Sequence, residues 1–208
     1  MLHLGLIGSP LGHSLSPWLH ESFMEQTGVE GRYELMELDP EQFDVEIGRL
    51  KAENVDGFNI TVPFKRTIIP YLDQIDEKSR KLGAVNTVVV TNGEWKGYNT
   101  DGAGYLESVY SIYPDVPASA SRVLIIGSGG AARGIAFALS DLSLTMDIAN
   151  RTSEKATDML NDLPEPCRGD ALSLNEASER LDTYDWVIQT TSVGMSPNEG
   201  GSLLTFAK

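Results

Sequence analysis

Along this chain the spacing of apolar positions switches repeatedly between the short runs of a strand and the wider period of a helix face. The run "LHLGLIG" opens it as a strand, and "SPWLHESFMEQTG" follows as a helix, with Pro17 at its start and Gly28 just past its end. "RYELMEL" reads as a strand, "PEQFDVEIGRLKAE" as an amphipathic helix and "VDGFNITV" as a strand. This βαβαβ rhythm predicts a parallel sheet covered by helices. Pro63 cannot donate to a sheet ladder, so the third strand must finish near Thr61. A helical stretch around "DQIDEKSRKLG" comes next, and then "AVNTVVVTNGEWKGYN", where Asn92-Gly93 between two strand-like runs signals a hairpin.

The polar, proline-bearing stretch "SIYPDVPASAS" reads as a connection to a new unit. Beyond it, "RVLIIGSGGAARGIAFALS" gives a buried strand, a glycine turn and a helix, while "LTMDIANRT" and "YDWVIQTTSVG" give two more strands. The pattern predicts an α/β protein of two units of roughly 100 residues each, residues 1–101 and 102–208.

Composition narrows the chemistry. Of 208 residues 41% are hydrophobic, and 16 Lys plus Arg against 30 Asp plus Glu leave a net charge of −14. Such a surface repels nucleic acid and anionic membranes, so neither is an expected partner. An anionic small molecule must instead meet local donors: a helix N-terminus or a single well-placed Lys or Arg. Cys167 is the only cysteine, which excludes an intrachain disulfide and a cysteine-rich zinc site; no metal is expected, and a reduced, cytoplasmic setting fits. The first apolar run is too short for a signal peptide, and none approaches a membrane span.

Three groups of residues carry chemistry. In "GSGGAA", Gly127 permits a tight turn, Gly129 lets the backbone approach a pyrophosphate and Ala132 lets the helix lie close to the strand. After the next strand an NAD-selective site carries Asp or Glu, whereas this chain has "NRTSEK" with Arg151 at the strand end. A guanidinium clamps a 2′-phosphate, so NADP is favoured over NAD. In "GHSLSP", Ser14 and Ser16 stand just before a helix; one N-cap explains one serine, and the pair suits a small carboxylate. His13 and His20 are read as structural. Finally "NITVPFK" offers Thr61 and Lys65, "GAVNT" Asn86, and "GYNTDG" Asn99 and Asp101, all near strand ends, which line the ligand crevice of open α/β sheets. Each alone has a plainer reading as a turn holder, a helix cap or surface charge.

"GHSLSP", "NITVPFK", "GAVNT", "GYNTDG", "GSGGAARG", "NRT" and "TTSVGM" stand in the order and roughly the spacing of the shikimate dehydrogenase family, which the chain resembles nearly up to Met195. The resemblance implies an N-terminal substrate-binding domain and a Rossmann-type doubly wound NADP-binding domain, with the active site in the cleft between them. It implies NADPH-dependent reduction of 3-dehydroshikimate to shikimate, in the supply of chorismate for aromatic amino acids, by a monomer or homodimer. By motif, Ser14 and Ser16 would bind the substrate carboxylate, and Thr61, Asn86 and Asp101 the ring hydroxyls. Lys65 would be catalytic, poised by Asp101. Gly127, Ser128, Gly129, Gly130 and Ala131 would cradle the pyrophosphate, and Asn150, Arg151, Thr152 and Lys155 would hold the adenosine phosphate end. Glu77 matches a cofactor contact, and Met195 would sit near the nicotinamide. The "SLS" hydroxyls favour shikimate over quinate.

The family continues past "TSxGM" through a tyrosine-bearing segment to helices that carry a substrate-binding Gln. The sequence is therefore expected to be incomplete, either cut short or with a stretch left out between Glu199 and Leu203. An NAD(P)-dependent quinate/shikimate dehydrogenase and a non-catalytic NADP- or shikimate-binding remnant are the alternatives.

Overall fold

The computed structural model describes residues 1–114, 122–142, 144–195 and 199–204. The expected connection in "SIYPDVPASAS" begins inside a helix and then runs into residues 115–121, which lie outside the described residues, as does the end of "GSLLTFAK". The chain divides into two units, Met1–Thr100 and Asp101–Lys208.

In the first unit, β1 (Leu2–Gly8) leads to α1 (Ser16–Thr27), β2 (Gly31–Glu37), α2 (Phe43–Ala52) and β3 (Gly57–Ile60). Then come β4 (Gln74–Ile75), α3 (Glu77–Leu82), β5 (Thr87–Thr91) and β6 (Glu94–Tyr98). The sheet order is β2-β1-β3-β5-β6-β4. The parallel pairing predicted for the first three strands is present, but β5 runs antiparallel to both β3 and β6, so the whole sheet is mixed. The hairpin reverses at Asn92 and Gly93, both with positive φ (53° and 80°), as the two-residue turn requires. The helix expected from Pro40 begins instead as one 3-10 turn, because the Asp39 carboxylate caps the Glu41 N–H at 2.9 Å.

This arrangement brings specific ends together. The C-terminal ends of β1, β3 and β6 and the N-terminal end of β5 share one end of the sheet, since Ile7 is registered with Ile60, Asn59 with Thr87, and Thr87 with Tyr98. Beneath lies a core of Ile7, Ile47, Phe58, Phe64, Val85 and Trp95, each nearly fully buried. Burial of such side chains contributes about 1.5–3 kcal/mol apiece.

The second unit opens with α4 (Asp101–Ile112), followed by β7 (Arg122–Ile126), α5 (Gly130–Ser140), β8 (Thr145–Ala149) and α6 (Ser153–Asn161). It continues with β9 (Arg168–Leu172), α7 (Leu174–Glu179) and β10 (Trp186–Gln189). All four strands are parallel in the order β10-β7-β8-β9. β7 is apolar on both faces for a reason: Val123 and Ile125 enter one core, and Leu124 and Ile126 the other. The one charge buried in this sheet, Asp147 on β8, is fully partnered. It accepts hydrogen bonds from Tyr184 Oη at 2.6 Å, Arg122 at 2.8 Å and the Asp170 N–H at 2.9 Å. α4 packs on α5 where Gly102 meets the Gly134 carbonyl so closely that no side chain fits. Among the described residues, no helix is long and apolar enough to cross a membrane.

Candidate functional site

The first unit gathers its polar residues at the sheet end just described. After β1, Ser14 and Ser16 stand at the start of α1. Neither forms the expected N-cap: Leu15 occupies that position, and no side chain caps the helix. Instead the Ser16 N–H donates to Ser14 Oγ at 3.2 Å, and the Ser14 hydroxyl donates to Ser16 Oγ at 3.1 Å. Both hydroxyls are held as a pair, half-buried.

After β3, the Thr61 N–H donates to the Ile7 carbonyl at 2.8 Å, and the Phe64 N–H closes a turn on the Thr61 carbonyl at 3.0 Å. The Phe64 ring is buried and stacked on Phe43, 4.5 Å between centroids. Phe64 thus anchors the loop that carries Lys65, whose carbonyl accepts from the Val85 N–H at 2.8 Å. Lys65 itself is half-buried.

Asn86, just before β5, is buried, with relative exposure of 8%. Its Oδ1 accepts from the Thr100 N–H and the Thr87 hydroxyl, each at 2.9 Å, and its Nδ2 donates to Thr100 Oγ1 at 3.0 Å. Asn99 holds a turn, donating to the Ala84 carbonyl at 3.2 Å. Asp101 is the first residue of α4.

Two further residues complete this end. Asn59 accepts from Tyr33 Oη at 2.8 Å and donates to Thr87 Oγ1 at 3.2 Å, so its side chain ties β3 to β2 and β5. His20 packs as a structural residue: its ring lies flat on Tyr33, 4.1 Å between centroids and 6° apart in plane, and burial lowers its pKa. Glu77, by contrast, is exposed at the start of α3 and paired with Lys81 at 2.8 Å, which lowers its pKa.

In the second unit the strand order changes direction between β7 and β10, and ligands of open α/β sheets bind outside the carboxyl ends of strands at such a point. A cavity of about 220 Å³ opens there. It is lined by Gly127 after β7, Asn150 and Arg151 after β8, Leu174 after β9, and Thr191, Ser192 and Val193 after β10. Gly127 has φ 108°, a conformation that side chains resist, and its N–H donates to the Ala149 carbonyl at 2.8 Å. Gly129 is different. Its backbone is ordinary, φ −78°, and a Cβ there would meet no protein atom within 4 Å. Space therefore stays open directly over the first turn of α5, whose unbonded N–H groups begin at Gly130 and Ala131.

Asn150 Nδ2 donates to the Thr152 carbonyl at 3.0 Å and shapes the entry to α6, where Lys155 lies in the first turn. Met195 is 63% exposed and does not line the cavity. From "TTSVGM" the cavity is lined by Thr191, Ser192 and Val193.

A parallel sheet in this order, with a glycine turn leading into a helix, defines a Rossmann-type α/β unit. It follows an N-terminal unit that is itself α/β. Two family models match, "Shikimate dehydrogenase substrate binding domain" over residues 6–88 and "Shikimate / quinate 5-dehydrogenase" over residues 112–196. The chain belongs to the shikimate dehydrogenase family. It is 46% identical to a shikimate dehydrogenase (NADP(+)) of Oceanobacillus iheyensis over 206 residues, 98% of this chain and 73% of that protein. Among solved structures, shikimate dehydrogenase from Aquifex aeolicus superposes with a TM-score of 0.86 at 36% identity, covering 95% of this chain and 71% of that one. The Thermus thermophilus enzyme in complex with NADP(H) and shikimate gives 0.85 at 30% identity, covering 99% and 74%.

Proposed function

We propose that this protein is an NADP-dependent oxidoreductase that interconverts 3-dehydroshikimate and shikimate. The observation that carries the reading is the convergence of Ser14, Ser16, Thr61, Lys65 and Asn86 at one sheet end, in a chain 46% identical to a relative named for this reaction.

The residues present fit the dinucleotide. Gly127, Ser128, Gly129, Gly130 and Ala131 hold the pyrophosphate over the open end of α5. Asn150, Arg151, Thr152 and Lys155 hold the adenosine phosphate end, and Arg151 on the cavity wall favours a 2′-phosphate. Bound there, NADPH supplies a hydride to the substrate carbonyl carbon. Ser14 and Ser16 take the substrate carboxylate as hydrogen-bond donors, and Thr61, Asn86 and Asp101 take the ring hydroxyls. The Lys65 ammonium gives its proton to the carbonyl oxygen as charge builds there, with Asp101 orienting it; in the reverse direction the Lys65 amine accepts the hydroxyl proton. A lone, buried cysteine suits a reducing cytoplasm.

The test is to mix protein with shikimate and NADP and follow the absorbance of the reduced nicotinamide. A rate well above that with NAD, and above that with quinate, is expected. Equal rates with NAD or quinate would point to a broader quinate/shikimate enzyme. No rate, but a thermal shift with NADPH, would point to a binding protein.

A further inference from the structure

The cavity at the carboxyl ends of the second sheet has two sides that the chain builds differently. β10 and β8 flank β7, so the segment after β10 faces the segment after β8 across Gly127. The β8 side, Asn150 and Arg151, leads directly into α6. The β10 side, Thr191, Ser192 and Val193, enters no further helix or strand among the described residues. Its shape rests on side chains.

Gln189, the last residue of β10, supplies two of the hydrogen bonds. Its Oε1 accepts from the Thr191 N–H, and its Nε2 donates to the Val193 carbonyl at 2.8 Å. Thr191 Oγ1 accepts the Val193 N–H at 3.2 Å, so both backbone groups of Val193 are held by side chains. Just before them, Thr190 fastens the segment to β7: its N–H and its hydroxyl donate to the Ile126 carbonyl at 2.9 and 2.7 Å. Only a carboxamide suits the position of Gln189, since one end must accept and the other donate. A carboxylate there would take the Thr191 N–H but set an oxygen against the Val193 carbonyl. Gln189 is itself exposed and does not line the cavity. Its side chain is explained by the segment it braces.

We infer that Gln189 is a positioning residue for dinucleotide binding: its carboxamide holds residues 191–193 as the cavity wall that faces Arg151. This rests on the NADP reading above. Gln189 does not touch the dinucleotide; it acts through the backbone of Thr191 and Val193.

The experiment measures NADPH binding by nicotinamide fluorescence, and binding of the adenosine bisphosphate half of NADP by calorimetry. Steady-state constants and melting temperatures accompany them, for wild type, Gln189→Ala and Gln189→Glu. Gln189→Ala is expected to raise the dissociation constant for NADPH and KM for NADP about five- to tenfold, as loss of about one net hydrogen bond does. The adenosine half, which lacks the nicotinamide, should lose affinity by the same factor, because the braced wall faces Arg151. KM for shikimate should stay within about twofold. Gln189→Glu keeps the acceptor and loses the donor, and it is expected to bind NADPH as weakly as Gln189→Ala; it also carries the test if the alanine variant does not fold. Unchanged NADPH binding in the folded variants, wild-type affinity in Gln189→Glu, a loss absent from the adenosine half, or an equal loss with shikimate would each overturn the inference. Wild-type protein that binds NADPH without turnover removes the enzymatic reading alone, whereas wild-type protein that does not bind NADPH removes both.

Discussion

Thr190 stands where a side chain on Gly127 would have to go. A Cβ on Gly127 would lie 2.5 Å from Thr190 Oγ1, and that hydroxyl is committed to the Ile126 carbonyl at 2.7 Å. Gly127 is therefore required by the fold as well as by any ligand, whereas Gly129, two residues on, has open space around it. The two glycines should separate under mutation. Gly127→Ala is expected to lower the melting temperature by several degrees, the cost of a positive φ plus a clash. Gly129→Ala is expected to melt as wild type does yet bind NADPH at least tenfold more weakly, read by nicotinamide fluorescence. Wild-type NADPH affinity in Gly129→Ala would mean the space over α5 is not where the pyrophosphate lies.

Arg151 should decide the choice of dinucleotide. Its charged hydrogen bonds to a 2′-phosphate are worth about 1.5–3 kcal/mol, so Arg151→Gln is expected to raise KM for NADP by roughly ten- to a hundredfold. KM for NAD, which lacks that phosphate, should stay within about twofold. Parallel losses with both dinucleotides would assign Arg151 to shaping the loop instead.

For Lys65, the proton-transfer role predicts a split between rate and binding. Lys65→Ala is expected to lower kcat by about 10²–10⁴ while KM for shikimate rises less than about threefold. Phe64 and the Val85 N–H hold the loop through ring packing and backbone, so the truncation leaves its support in place. Equal losses in kcat and binding would make Lys65 a substrate contact only.

The stacked pair His20 and Tyr33 should mark two edges of the pH range over which the fold is stable. Burial lowers the His20 pKa, so the folded state binds that proton less readily than the unfolded chain, and stability falls as pH drops below about 6.5. Burial raises Tyr33 to about 12, so its contribution is intact below pH ~10 and is lost as pH rises toward the folded value. Urea midpoints measured across pH should show the alkaline decline flattened in Tyr33→Phe and the decline below about pH 6.5 flattened in His20→Gln. Unchanged slopes in either variant would exclude that residue as a cause.

Much of this was legible in the sequence because local chemistry and global fold agree. "VLII", Val123 to Ile126, is apolar at every second and every intervening position, so only a strand covered on both faces suits it. Asn92-Gly93 admits the tight turn directly. What escaped were elements whose form is set by neighbours. "RGDAL" forms β9 although Gly169 and Asp170 argue against a strand, because the Asp170 N–H is claimed by the buried Asp147 carboxylate. β4 is two residues long and exists only by pairing with β6. At the site, motif residues were visible by type and order, but Tyr33 and His20 lie outside those patterns, and only the sheet end that joins β2 to β3 through β1 gives them a role.

The two separate hydrophobic cores have a spectroscopic consequence. Trp95 is sealed in the core of the first unit, and Trp186 packs against that of the second, while Trp18 lies largely exposed on α1. Indole emission thus carries distinct reporters from the two halves of the chain. With Trp18 replaced, a blue-shifted signal that survives heating in Trp186→Phe but not in Trp95→Phe would reveal halves that melt one after the other, a sequence that a single calorimetric peak conceals.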